Sequence, residues 1–151
     1  MNEIWKPSVT VAAIIEREGR FLLVEEEADG RRVLNQPAGH LDPGESLIAA
    51  CAREALEETA HRFTPTALVG VYRWVYPHKD VTFLRFAFAG NLDGVDAGRA
   101  LDGEIIATHW LSRGQLAARS AMHRSPLVMR CVDDFLSGRR FALEVLSAEF
   151  A

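Results

Sequence analysis

The sequence predicts a mixed α/β (α+β) fold in which a β-sheet packs between helices. Three observations carry this. β-branched apolar runs open the chain, a helical apolar stripe interrupts them near residues 46–59, and two further helical runs close the chain after more strands. At 151 residues, 1–151 is expected to form one domain, long enough to bury a real core.

Taken in order, "SVTVAAII" (8–15) and "RFLLVEE" (20–26) read as two strands of a hairpin closed by "EREG". "ADGRR" reads as a polar loop, and "VLNQPAGH" as a short strand that Pro37 ends. A turn at Pro43-Gly44 precedes a helix over Ser46 to Thr59, whose Leu47, Ile48, Cys51, Ala52 and Ala55 form one apolar stripe. Strands follow around Val69 to Tyr76 and Val81 to Ala89, joined by "PHKD". "GNLDGVDAGRALDGE" reads as a loop rich in Gly and Asp, and "IIATHWL" as a strand. Ser112 stands as N-cap of one terminal helix. The other takes Ser125 as N-cap, Pro126 at its first position and Gly138 as its stop.

Composition excludes several classes. Apolar residues make up 48% and charged residues 25%, as in ordinary globular proteins, and the formal charge of −4 gives no basic footprint for duplex nucleic acid. An anionic substrate must therefore be met by a local cation. Cys51 and Cys131 show no metal-type spacing and read as reduced core residues. The amino terminus "MNEIWKPSV" has no apolar h-region and no stretch approaches transmembrane length, so a cytoplasmic protein without a membrane partner is expected. A monomer is expected as well, since no unpaired apolar helix face is evident.

The chemistry concentrates in "GHLDPGESLIAACAREALEETAH" (39–61). At about 100° per residue, Glu54, Glu57 and Glu58 fall within an arc of roughly 100° beside the apolar stripe. Like charges so placed repel by about 0.2–0.5 kcal/mol per pair. Such a patch is either a solvated face or a set of hard oxygen ligands, the kind Mg²⁺ and Mn²⁺ favour. A divalent cation would turn the repulsion into shared attraction and let an acidic protein hold a polyanion.

Spacing decides between the two. Gly39 stands six residues before Glu45; Arg53 follows eight after Glu45, with Glu54 next and Glu57-Glu58 three further on. In this register the sequence resembles the Nudix hydrolase family, whose signature places Gly, Glu, Arg-Glu and Glu-Glu at these intervals. Two positions depart from it: Ala60 replaces a Gly and His61 an aliphatic residue. Ala tolerates the left-handed helix end poorly, which bears on where the helix stops and leaves the acids untouched. "PSVTVAAII", "NQPAGHLDPGE", "TFLRFAFAG" and "RSPLV…FLSGRRFALEVL" extend the resemblance to a bacterial phosphatase branch along most of the chain.

The resemblance implies an α/β/α sandwich and Mg²⁺-dependent hydrolysis of pyrophosphate linkages, with Mn²⁺ as a substitute. The substrates it implies are small: nucleoside tri- and diphosphates, thiamine pyrophosphate, and the hydroxymethylpyrimidine pyrophosphate precursor of thiamine. It assigns Glu54, Glu57 and Glu58 as metal ligands, with the Ala38 carbonyl as a further oxygen and Glu54 or Glu57 as general base. Glu45 and Arg53, with Gly39, are expected to brace the loop against the helix. A distal carboxylate is expected at Glu104, six residues before Trp110, with Asp102 in reserve.

Substrate contacts are read from the residues themselves. Arg85 on an apolar strand needs an anionic partner, either a phosphate or a structural carboxylate. Arg124 could meet phosphate or face water. Trp74 and Tyr76 could stack on a base or belong to the core. Asn35 and Gln36 could line the pocket. The histidines 40, 78, 109 and 123 share no ligand spacing. Two other classes compete with the hydrolase: a non-catalytic nucleotide-binding regulator, and a metal-stabilised structural domain.

Overall fold

A computed structural model describes residues 3–147. Its strands are β1 (Ser8–Ile14), β2 (Glu16–Arg17), β3 (Arg20–Ala28), β4 (Arg31–Asn35), β5 (Ala38–His40), β6 (His61–Val75), β7 (Thr82–Val95) and β8 (Ile105–Ser112). Its helices are α1 (Leu47–Thr59), α2 (Arg113–Ala117) and α3 (Leu127–Leu136). One sheet runs β5-β1-β7-β6, mixed because β1 and β7 are parallel while β5 and β6 pair antiparallel at its edges. In the other, β3 pairs antiparallel with β2, β4 and β8.

The mixed fold follows from β1. Val11 to Ile15 are all buried, at 0–2% exposure, as in a strand covered on both faces. Val11, Ala13 and Ile15 join the core under α1 with Cys51, Ala55 and Phe88. Ala12 and Ile14 join the opposite core under α3 with Leu34, Val128 and Cys131. Period-2 alternation thus feeds two helical layers from one strand. Both cysteines are free and buried.

Several expected elements change. The expected hairpin shrinks to Glu16–Arg17 against Arg20–Phe21, because the unbroken apolar run of β1 is claimed by strands on both its edges. "ADGRR" is not a loop: β3 runs to Ala28 and β4 starts at Arg31, around Asp29 (φ 51°) and Gly30 (φ 77°). Positive φ at both central residues is the two-residue hairpin geometry that Asp-Gly favours. Residues 91–95, expected in a loop, continue β7 against the first residues of β6. Gly90 permits that close pairing, since a Cβ there would lie 2.1 Å from the Thr64 carbonyl oxygen.

The N-cap expected of Ser112 is observed, whereas α3 takes Pro126 and not Ser125 as its N-cap, so the helix starts one residue later than expected. Ser46 Oγ accepts from the Ala49 N–H at 3.0 Å, and Ser112 forms a reciprocal capping box with Gln115. The α2 helix is shorter than its sequence pattern, giving way to a single 3₁₀ turn at Ser120–Met122. Pro126, with helical φ and ψ, precedes α3, and Ser125 Oγ accepts from the Leu127 N–H at 3.1 Å. Gly138 follows α3 at φ 89°. Ala60 ends α1 in the left-handed conformation, φ 59°, where a Cβ costs about 1–2 kcal/mol. The helix stops where a glycine would stop it, with strain in place of freedom.

Candidate active site

Glu54 and Glu58 of α1 line a cavity of ≈ 420 Å³ between the helix, β5, β3 and the loop before β8. Glu54 and Glu58, one turn apart, are buried at 8% and 7% exposure, whereas Glu57 is half-buried. Oxygens of Glu54, Glu57 and Asp102 lie within 4.8 Å of one another. Asp102 is held at this end of α1 by its backbone N–H, which donates to the Glu57 carbonyl at 3.0 Å. The distal acid that joins the helix pair is therefore Asp102, the reserve choice of the sequence reading. Glu104 and Glu58 line the same cavity outside that trio.

Gly39 explains how Glu54 reaches its place. A Cβ on Gly39 would stand 2.2 Å from the Glu54 carboxylate, so the carboxylate rests directly over the bare backbone of β5. Ala38, next to it, donates its N–H to Glu58 Oε1 at 2.8 Å. Arg53 forms a bidentate pair with Glu45, through Nε at 3.0 Å and Nη2 at 2.7 Å. Its Nη1 donates to Glu54 at 2.8 Å and Glu57 at 3.1 Å, and Nη2 to the His40 carbonyl at 3.0 Å. One guanidinium thus ties loop, strand and helix, and it offsets part of the repulsion between the acids.

Electrostatics follow from this packing. Burial pushes Glu58 up to about 9; the Ala38 N–H opposes this, and Glu26, Glu54 and Asp102 reinforce it. Burial also raises Glu54, against the pull of Arg53. The Arg53 hydrogen bonds hold Glu45 below the usual carboxylate range. Three converging carboxylates, from buried Glu54, half-buried Glu57 and exposed Asp102, fit a hard divalent cation, which would offset these acid–acid repulsions.

The cavity lining also holds cationic and aromatic side chains. Arg85 is buried at 6% exposure, and its guanidinium donates to Gln36 Oε1 at 2.9 Å and Asn35 Oδ1 at 2.8 Å, both neutral. It makes no ion pair among the described residues. Trp74 stacks on Phe83 at 5.8 Å between ring centroids. Arg124 lines the cavity and lies over the Tyr76 ring at 5.5 Å. Tyr76 itself sits in a neighbouring cleft, and Gln36 behind Arg85 bonds the Val128 carbonyl at 2.8 Å. Sequence reasoning missed Glu26, Thr10 and Phe83, which also line the cavity. Phe83 was detectable, two residues from Arg85 on one strand face. An acid within the apolar β3 run was the available sign for Glu26.

A carboxylate cluster and a buried guanidinium that makes no ion pair among the described residues line one cavity, an arrangement with the chemistry of a hydrolase site for phosphate esters or anhydrides. The NUDIX domain pattern matches residues 5–131, and the chain belongs to the Nudix hydrolase family. Over 143 residues, 95% of this chain and 92% of that protein, it is 39% identical to the phosphatase NudJ of Escherichia coli K12. A Nudix hydrolase structure from Nitrosomonas europaea shares 50% identity, covering 93% of this chain and 96% of its own, with TM-score 0.91. The MutT Nudix hydrolase of Burkholderia pseudomallei, 20% identical, covers 86% of this chain and 98% of its own at TM-score 0.73, a likeness of fold. The chain is therefore a hydrolase of pyrophosphate linkages in a family that uses divalent metals. No helix among the described residues is long and apolar enough to cross a membrane.

Proposed function

We propose that this enzyme is a Mg²⁺-dependent phosphohydrolase of small pyrophosphates, acting on nucleoside tri- and diphosphates and on thiamine or hydroxymethylpyrimidine pyrophosphate. It would act as a cytoplasmic monomer, one domain over 1–151, with neither duplex nucleic acid nor membrane as partner; Mn²⁺ would substitute. The observation that supports this reading most is the pairing of converging acids with Arg85, whose buried guanidinium hydrogen-bonds the neutral Gln36 and Asn35 side chains and makes no ion pair among the described residues.

Glu54, Glu57 and Asp102 would hold the cation, with Glu58, Glu104 and the Ala38 carbonyl at the rim of that set. When bound, the ion neutralises phosphate charge and acidifies water. Glu54 or Glu57 takes the proton of the attacking water as general base. Arg53 and Glu45, over Gly39, keep both acids in register. Arg85 binds a phosphate oxygen, Asn35 holds Arg85, Arg124 meets the outer phosphate, and Trp74 supports the ring of the substrate.

Incubation with nucleoside tri- and diphosphates and thiamine pyrophosphate tests the reading through released phosphate. Turnover should require Mg²⁺ and vanish in EDTA; no metal-dependent release from any of them would reject it. Within this scheme Arg85→Met should raise KM by about 10- to 10²-fold and change kcat far less, a charged hydrogen bond contributing about 1.5–3 kcal/mol. Steady-state kinetics check the split. An unchanged KM would make Arg85 purely structural.

A further inference from the structure

Glu26 has no part in the chemistry above, yet it is built into the same cavity. It is half-buried on β3 and forms no ion pair among the described residues, unlike its neighbour Glu25, which meets Arg32 and His109. The pairing of β3 with β8 slips between Glu25 and Glu26, and irregularities of this kind re-aim side chains beside functional sites. As a result Glu26 and Glu27 both line the cavity, although consecutive residues of a flat strand point to opposite faces.

The neighbours of Glu26 define what can approach it. Arg124, Asn35 and Arg85 favour its ionised carboxyl, Glu104 and Glu58 oppose it, and it lies outside the trio of converging acid oxygens. The two guanidinium groups offset the two neighbouring acids, leaving Glu26 less demand for a cation than the trio has, and its own carboxylate disfavours a phosphate. A neutral N–H donor satisfies both conditions. The Trp74–Phe83 stack lines the same cavity and offers a platform for the ring that would carry that donor.

We infer that Glu26 is a specificity-determining residue that accepts a hydrogen bond from an exocyclic amino group on the heterocycle of the substrate. This rests on the hydrolase reading above. It assigns the substrate class as amino-bearing bases, such as a 4-aminopyrimidine or guanine, over their analogues without the amino group. A site built around such a donor leaves a half-buried carboxylate short of one hydrogen-bond partner when the donor is missing.

The test compares kcat/KM for CTP against UTP and for GTP against ITP, in the unaltered enzyme and in Glu26→Met. The unaltered enzyme should prefer the amino-bearing member of at least one pair by about 10- to 10²-fold, and Glu26→Met should bring that ratio to within about threefold. Similar rates within both pairs for the unaltered enzyme overturn the inference while leaving the hydrolase reading intact. So does a variant that slows every substrate equally and needs more Mg²⁺, since Glu26 would then serve the cation. Failure to hydrolyse any of the four nucleotides counts instead against the hydrolase reading.

Discussion

Glu54→Gln should lower kcat on the order of 10³-fold at saturating Mg²⁺, within the range of about 10²–10⁴ for a positioned acid–base group. Glu54 combines burial, an Arg53 hydrogen bond and convergence with Glu57 and Asp102. The amide keeps shape and can still accept from Arg53, but it offers the cation no charge. Because burial already disfavours the ionised form of Glu54, the neutral variant should melt within a few degrees of the parent in EDTA. Single-turnover rates and thermal melts in parallel check both halves. A loss below tenfold would remove Glu54 from the chemistry.

Gly39→Ala should cost on the order of 10²-fold in kcat, the scale on which small misplacements near the reacting atoms are felt. The added methyl would sit 2.2 Å from the Glu54 carboxylate, so that carboxylate must move. It is the end of a flexible side chain, so the fold absorbs the change cheaply. Large kinetic loss beside a nearly unchanged melting temperature is the expected pattern. Equal loss of activity and stability would mean that the backbone of β5 shifted instead.

Much of this architecture was legible in residue order. The α1 helix and the acid spacing depend on local periodicity, which a sequence displays directly, although Ser46, read as the first residue of the helix, is its N-cap. The fate of "VAAII" was harder, because an unbroken apolar run marks a central strand without naming its partners. Residues 91–95 look like a loop by composition, and pairing with β6 overrode that preference. The turn at Asp29-Gly30 was readable, since Asp-Gly between strands carries its own geometry. In the site, one backbone hydrogen bond to the end of α1 brings Asp102 beside Glu54 and Glu57, a contact that no spacing rule encodes. Glu26 depended on a register slip between β3 and β8, a contact some eighty residues apart in the chain.

The double service of β1 has a consequence for how the molecule comes apart. Val11, Ala13 and Ile15 anchor one layer while Ala12 and Ile14 anchor the other, so neither layer can loosen without dragging on the same strand. A one-residue slip would swap the two sets wholesale. The two halves should accordingly melt as one cooperative unit, and the cavity wall that rests on β1 and β5 inherits the rigidity of both.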